Sequence, residues 1–155
     1  MALAEAIERL EAMPEFLEAA LEIASADELA FKPSPDEFSL GEQSCHLRDL
    51  EREGYLVRVR RMMTEPAAEL EGFDGAAVAA ARNYPAQDAR RAAQDFSAAR
   101  HELLGLLAPL TPADLQRTAT FEGRRITLGD LVAMIVEHDR GHRAEIERLM
   151  DALDR

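Results

Sequence analysis

An apolar stripe with a polar interruption runs through the last part of the chain. Leucine and isoleucine recur there in steps of three and four residues, at Leu128, Leu131, Ile135, Ile146, Leu149 and Leu153. His138 and His142 fill the gap in this stripe, so both imidazoles are predicted to face the same interior as the leucines. Thr127 and Asp130 have the spacing of a capping box, with Asp in place of Glu. We predict a helix from this box to about Leu153.

The rest of the sequence also favours helices over strands. Aromatic residues make up only 5% of the chain, and no alternating run is longer than residues 118–126. Apolar spacing predicts a first helix over about residues 2–24, broken or kinked near Pro14, and a third from near Pro85 to before Pro109. Residues 73–82 and the turn after Thr111 favour short helices. The chain is therefore predicted to be all-α, a single domain over residues 1–155 that forms a four-helix bundle with extra short helices in the crossover.

The second long helix carries a third histidine. It follows a proline-containing connection over residues 31–38, starts at a capping box formed by Ser39 and Glu42, and is predicted to run to about Met63. His46 lies four residues before Leu50 and eleven before Val57, which places it on the inward face. Three neutral imidazoles could hold one divalent ion and leave a position open for water or substrate. The alternative is a set of core histidines that only form hydrogen bonds.

Four other side chains lie near these histidines in the sequence. Glu42, one turn before His46, is a candidate fourth ligand, although its capping position already accounts for it. Cys45 points about 100° away around the helix and is predicted to be a packed core residue. Asp49 and Glu145 each lie three residues after a histidine, where they either orient an imidazole or are ordinary surface carboxylates. No side chain is assigned as the nucleophile, and the reacting group is expected to be water or a thiol bound to the ion.

Charge and composition exclude several partners. The formal net charge of -12 argues against binding to nucleic acid or to anionic membrane surfaces. The apolar run 131–136 is far shorter than the roughly 20 residues that span a bilayer, so no membrane segment is expected. The N-terminal sequence lacks the pattern of an export signal, and Cys45 has no second cysteine with which to form a disulfide. These features predict a cytoplasmic protein.

Two segments resemble the DinB/YfiT-like family. The first runs from Phe38-Ser39-Leu40 through His46-Leu47-Arg48-Asp49, and the second is His138-Asp139-Arg140-Gly141-His142-Arg143-Ala144-Glu145-Ile146. The resemblance extends over nearly the whole chain, including the order of the long helices. One departure is Phe38, where relatives often have tryptophan, and this position is not a ligand.

The resemblance implies a variant up-and-down bundle, often a homodimer, that binds zinc or nickel through His46, His138 and His142. It also implies a thiol-dependent transferase or isomerase that uses a low-molecular-weight thiol and acts on a small electrophile. The alternatives are a metal-dependent hydrolase and a non-catalytic, metal-stabilised dimerising bundle. A metalloprotease is a weaker hypothesis, because Asp139 replaces the glutamate of its helical motif. The sequence leaves open the substrate, the physiological metal, the oligomeric state and whether the ion is catalytic or structural.

Overall fold

The computed structural model describes residues 1–154 and contains four long helical segments. They are α1 (Leu3–Glu22), the consecutive helices α3 (Leu40–Leu50) and α4 (Leu56–Thr64), α6 (Ala89–Leu107) and α7 (Leu128–Leu153). Both α6 and α7 pack against α1 and against the α3–α4 segment. The predicted four-helix bundle is thus confirmed. No helix within residues 1–154 is long and apolar enough to cross a bilayer.

Side-chain caps fix where the two histidine-bearing helices begin. Ser39 Oγ accepts a hydrogen bond from the backbone N–H of Glu42 at 3.1 Å, and the Glu42 carboxylate accepts one from the Ser39 N–H at 3.0 Å. Thr127 and Asp130 form the same reciprocal pair at the start of α7. Both predicted capping boxes are therefore present, and each fixes the first residue of a helix that carries histidines.

The third long helix starts later than expected. The Asp88 carboxylate accepts a hydrogen bond from the N–H of Arg91, so α6 begins at Ala89, and Pro85 lies in the preceding 3₁₀ turn, Tyr84–Ala86. Two short helices, α2 (Ala26–Ala30) and α5 (Gly75–Ala81), lie in the connections. Within the predicted region 73–82, α5 begins only at Gly75, because the Asp74 carboxylate caps it by accepting a hydrogen bond from the N–H of Ala77.

A π-helical turn, Glu51–Tyr55, joins α3 to α4. Such a turn is wider than an α-helical one, so the residues after it move to a different angular position on the helix. Val57 was predicted to face the interior but is 42% exposed, while Leu56 and Val59 are buried. His46 precedes the turn, so its inward position is unaffected.

A small sheet packs against the bundle and was not predicted. Its strands are β1 (Ala68–Leu70), β2 (Thr118–Phe121) and β3 (Arg124–Thr127), with β1 parallel and β3 antiparallel to β2. Glu122 and Gly123 form the hairpin turn with positive φ angles of 51° and 78°, which match the twist of the two strands. The alternating run over residues 118–126 contains β2 and most of β3, but it was too short to outweigh the helical pattern of the chain, and β1 pairs with a distant segment.

Pro14 does not break α1, because a side chain replaces the hydrogen bond that it removes. Proline has no N–H to donate to the carbonyl of Leu10, four residues earlier. Arg100 Nη1, from α6, donates to this carbonyl oxygen at 2.9 Å. The expected break is therefore absent, and α1 continues from Leu3 to Glu22.

The same arginine is the centre of a buried ion cluster. Arg100 is 1% exposed and donates to both carboxylate oxygens of Glu51, at 2.6 and 3.1 Å, and of Asp139, at 2.7 and 2.9 Å. Burial acts to lower the pKa of Arg100, but the two carboxylates outweigh it and raise that pKa above its usual value. The cluster connects α1, the π-helical turn, α6 and α7.

Replacing Arg100 should destabilise the fold strongly. In Arg100→Met, two carboxylates and the Leu10 carbonyl lose their buried partner, so we expect a loss of about 3–5 kcal/mol in the free energy of unfolding, measured by urea denaturation. Arg91→Met removes an exposed pair with Asp95 and should cost less than about 1 kcal/mol. Equal losses in the two variants would show that the cluster has no special role.

Candidate metal centre

The three predicted histidines meet inside the bundle. One nitrogen from each of His46, His138 and His142 lies within 4.8 Å of the others, and Nε2 of His138 is 3.2 Å from Nε2 of His142. Two imidazole nitrogens bound to one tetrahedral ion would be about 3.3–3.4 Å apart, given metal–nitrogen distances of about 2.0–2.1 Å. His46 is buried, whereas the other two rings are half-buried. The three rings could therefore hold a metal ion, and a ligand could approach it from the side of the half-buried rings.

Hydrogen bonds from α3 and α7 hold His142 in one orientation. Its Nδ1 lies 2.8 Å from Oε1 of Gln43 and 3.2 Å from Oε2 of Glu145, and Gln43 Nε2 donates to that same Oε2 at 2.6 Å. Both neighbours of Nδ1 are acceptors, so this nitrogen carries the proton and Nε2 is free to bind a cation. Glu145 thus contacts the ring of His142, the histidine three residues before it. Gln43 was missed, although it lies one turn before His46.

Burial keeps the three rings neutral. Loss of solvation, together with the neighbouring His142 and His138, lowers the pKa of His46 to about 3. Burial and His138 likewise lower the pKa of His142 to about 3, and burial lowers the pKa of His138. Neutral imidazole is the form that binds metals, so the cluster does not have to lose protons at neutral pH before it binds an ion.

The donor atoms fit a divalent cation. Nδ1 of His46 and Nδ1 of His138 are both buried without a hydrogen-bond partner among residues 1–154. The nitrogen of His138 that faces His142 is Nε2, so the unpaired Nδ1 of His138 lies on the opposite side of its ring and is not the atom that would bind a shared ion. Imidazole is a ligand that zinc and nickel both accept. The cluster therefore has the composition of a metal site, with Nε2 as the converging nitrogen of His138 and of His142.

The loop after β1 closes the cluster on the side of His46. Phe73 has its ring centroid 6.3 Å from that of His46, and Phe38 lies 5.3 Å away on another side. A Cβ atom at Gly75 would lie only 2.8 Å from Cε1 and 3.0 Å from Nδ1 of His46. A larger residue than Gly75 would therefore force the His46 ring to shift, and no pattern in the sequence signals this contact.

Two other predicted neighbours of His46 have structural roles. Glu42 caps Ser39 and has a carboxylate oxygen 3.5 Å from Nζ of Lys32, and it is not part of the three-histidine cluster. Cys45 is fully buried, and burial raises the pKa of its thiol to about 11. A thiol in this state is unreactive at neutral pH, which agrees with the predicted packing role.

Asp49 is committed to partners other than a histidine. Its carboxylate accepts hydrogen bonds from Arg48 at 2.8 and 3.1 Å and from the Tyr84 hydroxyl at 2.6 Å, and it lies 3.2 Å from Nη1 of Arg82. These groups fix the 3₁₀ turn and the end of α5 against α3. No hydrogen bond joins Asp49 to a histidine among residues 1–154, and its role toward an imidazole stays a prediction.

A cavity of about 420 Å³ leads from the surface to His142. Gln43 and Glu145 form part of its wall, with Phe38 beside them and Arg148 further out. This volume lies within the usual range for small-molecule sites. A small ligand could therefore reach the histidine cluster through this opening.

The sequence of the chain matches a family model. Residues 9–146 match the model of the DinB superfamily, and the chain belongs to this superfamily. No curated protein matches the chain. The homodimer expected from the resemblance stays a prediction.

Solved structures show the same fold at low sequence identity. YfiT from Bacillus subtilis, described as a probable metal-dependent hydrolase with an unusual four-helix bundle topology, is 21% identical with a TM-score of 0.90, covering 98% of this chain and 87% of that one. A DinB-like protein from Bacillus cereus is 18% identical with a TM-score of 0.61, over 92% and 86% of the two chains. A second from Bacillus subtilis, YjoA, is 15% identical with a TM-score of 0.63, over 97% and 92%.

The contact between Gly75 and His46 provides a test of the cluster. In Gly75→Ala the new methyl group would displace the His46 ring, so we expect zinc affinity, measured by competition with a chromophoric chelator, to fall about tenfold or more. Gly105→Ala is the matched control, because a Cβ atom there meets nothing within 4 Å. The control should bind zinc normally and gain slightly in stability. Unchanged zinc affinity in Gly75→Ala would mean that His46 is not a ligand.

Proposed function

We propose that this chain is a metal-dependent enzyme that holds one divalent ion, zinc or nickel, with His46, His138 and His142. Its reaction is the transfer or isomerisation of a small electrophile with a low-molecular-weight thiol as co-substrate. The observation that carries the proposal is the convergence of three neutral imidazoles, one of which, His142, lines an open cavity. A closed structural zinc site normally has four protein ligands, and this cluster offers three.

The chain's own residues divide the remaining work. A bound divalent ion would lower the pKa of a thiol or water and so supply a nucleophile at neutral pH. Gln43 and Glu145 hold the proton on Nδ1 of His142 and so direct its Nε2 toward the cluster. Glu145 also lines the cavity, where its carboxylate could accept the proton that the incoming nucleophile loses. Phe38 and Phe73 exclude water from the sides of His46.

Neither Cys45 nor Asp139 is placed to act at the centre. The one cysteine of the chain, Cys45, is buried and its thiol pKa is raised to about 11, so it cannot supply a thiolate. Asp139, at the general-base position of a zinc-protease motif, is paired with Arg100 in the interior. These two observations favour a thiol co-substrate over a cysteine enzyme or a metalloprotease of the usual type.

Metal content is the first test. Purified protein should contain close to one divalent ion per chain by elemental analysis, and His138→Ala or His142→Ala should lose it, because two imidazoles rarely retain an ion. His101→Ala changes an exposed histidine on α6 and should keep full occupancy. Full occupancy in both cluster variants would rule out the proposed centre.

A metal-dependent hydrolase is the second candidate. It is favoured by the structural similarity to YfiT, which is described as a probable hydrolase of this kind. In this case water takes the place of the thiol. The third alternative, a non-catalytic dimerising bundle with a stabilising ion, requires no turnover at all.

Turnover assays separate these alternatives. Metal-loaded protein should consume a small electrophile in the presence of glutathione, bacillithiol or mycothiol, and His142→Ala should not, because the ion that activates the thiol is lost. Product is measured by mass spectrometry. Turnover of ester or amide substrates without a thiol would favour the hydrolase. A metal-loaded protein inactive in every assay would favour the stabilising ion.

A further inference from the structure

The cavity that reaches His142 carries opposite charges at its outer end. Arg148, on α7, lines one wall, and Asp36 and Glu37, in the connection before α3, line another. All three residues are exposed, whereas His142 is half-buried. Arg148, Asp36 and Glu37 therefore form the mouth of the cavity, and His142 lies further inside.

The charges of the mouth are not paired with one another. Within residues 1–154, no ion pair or side-chain hydrogen bond joins Arg148, Asp36 or Glu37 to each other or to any other residue. The neighbouring Arg143, on the same helix, does pair, with Glu147. Opposite charges that line one cavity without touching leave a gap between them. A molecule that carries both charges would fill this gap and satisfy both walls.

The remaining charged residue of the cavity acts further inside. Oε2 of Glu145 lies 3.2 Å from Nδ1 of His142 and accepts a hydrogen bond from Gln43 at 2.6 Å. A divalent ion with one thiolate bound has a net positive charge, and the Glu145 carboxylate lies beside one of its ligands. This carboxylate thus compensates charge at the centre, and the charges of the mouth are left for the outer part of a ligand.

The geometry of α7 sets the distance between the centre and the mouth. With a rise of about 1.5 Å per residue, the Cα atom of Arg148 lies about 9 Å further along the helix axis than that of His142. A linker of about two residues' length spans roughly 7 Å, so a small molecule can bind at the cluster and reach the mouth. Phe38 and Leu149 supply apolar wall beside this path.

We infer that the thiol co-substrate carries a zwitterionic group at the end remote from its sulfur. Its ammonium group binds at Asp36 and Glu37, and its carboxylate binds the Arg148 guanidinium, which offers paired N–H donors to two oxygens. The inference rests on the proposed function for the chemistry at the sulfur. It defines the substrate class as a thiol joined through a short linker to an amino-acid head group.

Thiols that differ only in the charges of the remote end test the mouth. γ-Glutamylcysteamine carries both charges, glutarylcysteamine only the carboxylate, 4-aminobutanoylcysteamine only the ammonium group, and butanoylcysteamine neither. Cobalt-loaded protein is titrated with each thiol, and binding is followed by the thiolate-to-cobalt absorption band. We expect the zwitterion to bind most tightly, and the loss of either charge to weaken binding about three- to fivefold, as for exposed ion pairs. Equal affinities for all of these thiols would overturn the inference.

Charge-removing variants assign each preference to its wall. Arg148→Gln should abolish the advantage of γ-glutamylcysteamine over 4-aminobutanoylcysteamine and keep its advantage over glutarylcysteamine. Asp36→Asn combined with Glu37→Gln should do the reverse. All three side chains are exposed, so the variants should fold and bind cobalt as the wild type does.

An exposed pair on α7 provides matched controls. Arg143 and Glu147 do not line this cavity, so Arg143→Gln and Glu147→Gln should keep both preferences. Equal losses in these controls and in the mouth variants would mean that overall protein charge, and not the mouth, selects the ligand.

Metal-free protein distinguishes this inference from the proposed function. If the protein binds no cobalt, the proposed centre is wrong, and the S-methyl forms of the same compounds then test the mouth alone. The zwitterion should raise the thermal midpoint more than the uncharged compound does, and Arg148→Gln should reduce the difference. Equal midpoints with both compounds would overturn the inference as well. If cobalt binds but the thiols show no charge preference, the centre stands and the mouth does not select the ligand.

Discussion

A single buried guanidinium fixes how the four helices meet. Arg100 binds a carbonyl of α1, a carboxylate of the π-helical turn and a carboxylate of α7, and it does so from α6. Hydrophobic side chains tolerate small shifts along a helix, but these directional bonds do not. Asp139 directly follows His138, so the bond that places Asp139 also sets the height and rotation of α7 at the metal centre. The position of the histidines therefore depends on an ion cluster that does not touch them.

The parts of this architecture that could be predicted are the local ones. Capping boxes at Ser39 and Thr127 depend on residues three apart, and the inward position of His138 and His142 follows from the periodicity of one helix. The convergence of these two rings also needs only the geometry of an α-helix. Placing His46 opposite them required the periodicity of a second helix, together with the family resemblance.

The features that were missed all depend on long-range contacts. The π-helical turn moves Val57 outward, and nothing in the local pattern signals an extra residue in the turn. Glu51 and Tyr55, at its two ends, have distant partners in Arg100 and His138. Asp49 looked like a partner for an imidazole, but Tyr84, from a distant 3₁₀ turn, occupies it. The β1 strand pairs with a segment far along the chain, so three residues of alternation could not reveal it. The tight approach of Gly75 to His46 is likewise a contact between distant segments of the chain.

Because the three histidines come from both α3 and α7, metal binding is coupled to folding. A disordered chain presents one neighbouring pair, His138 and His142, and the third ring joins them only after both helices have docked. An ion that needs all three donors would thus select the native topology and shift the equilibrium toward it by mass action. A metal ion in solution would therefore stabilise only those chains in which both helices have docked correctly.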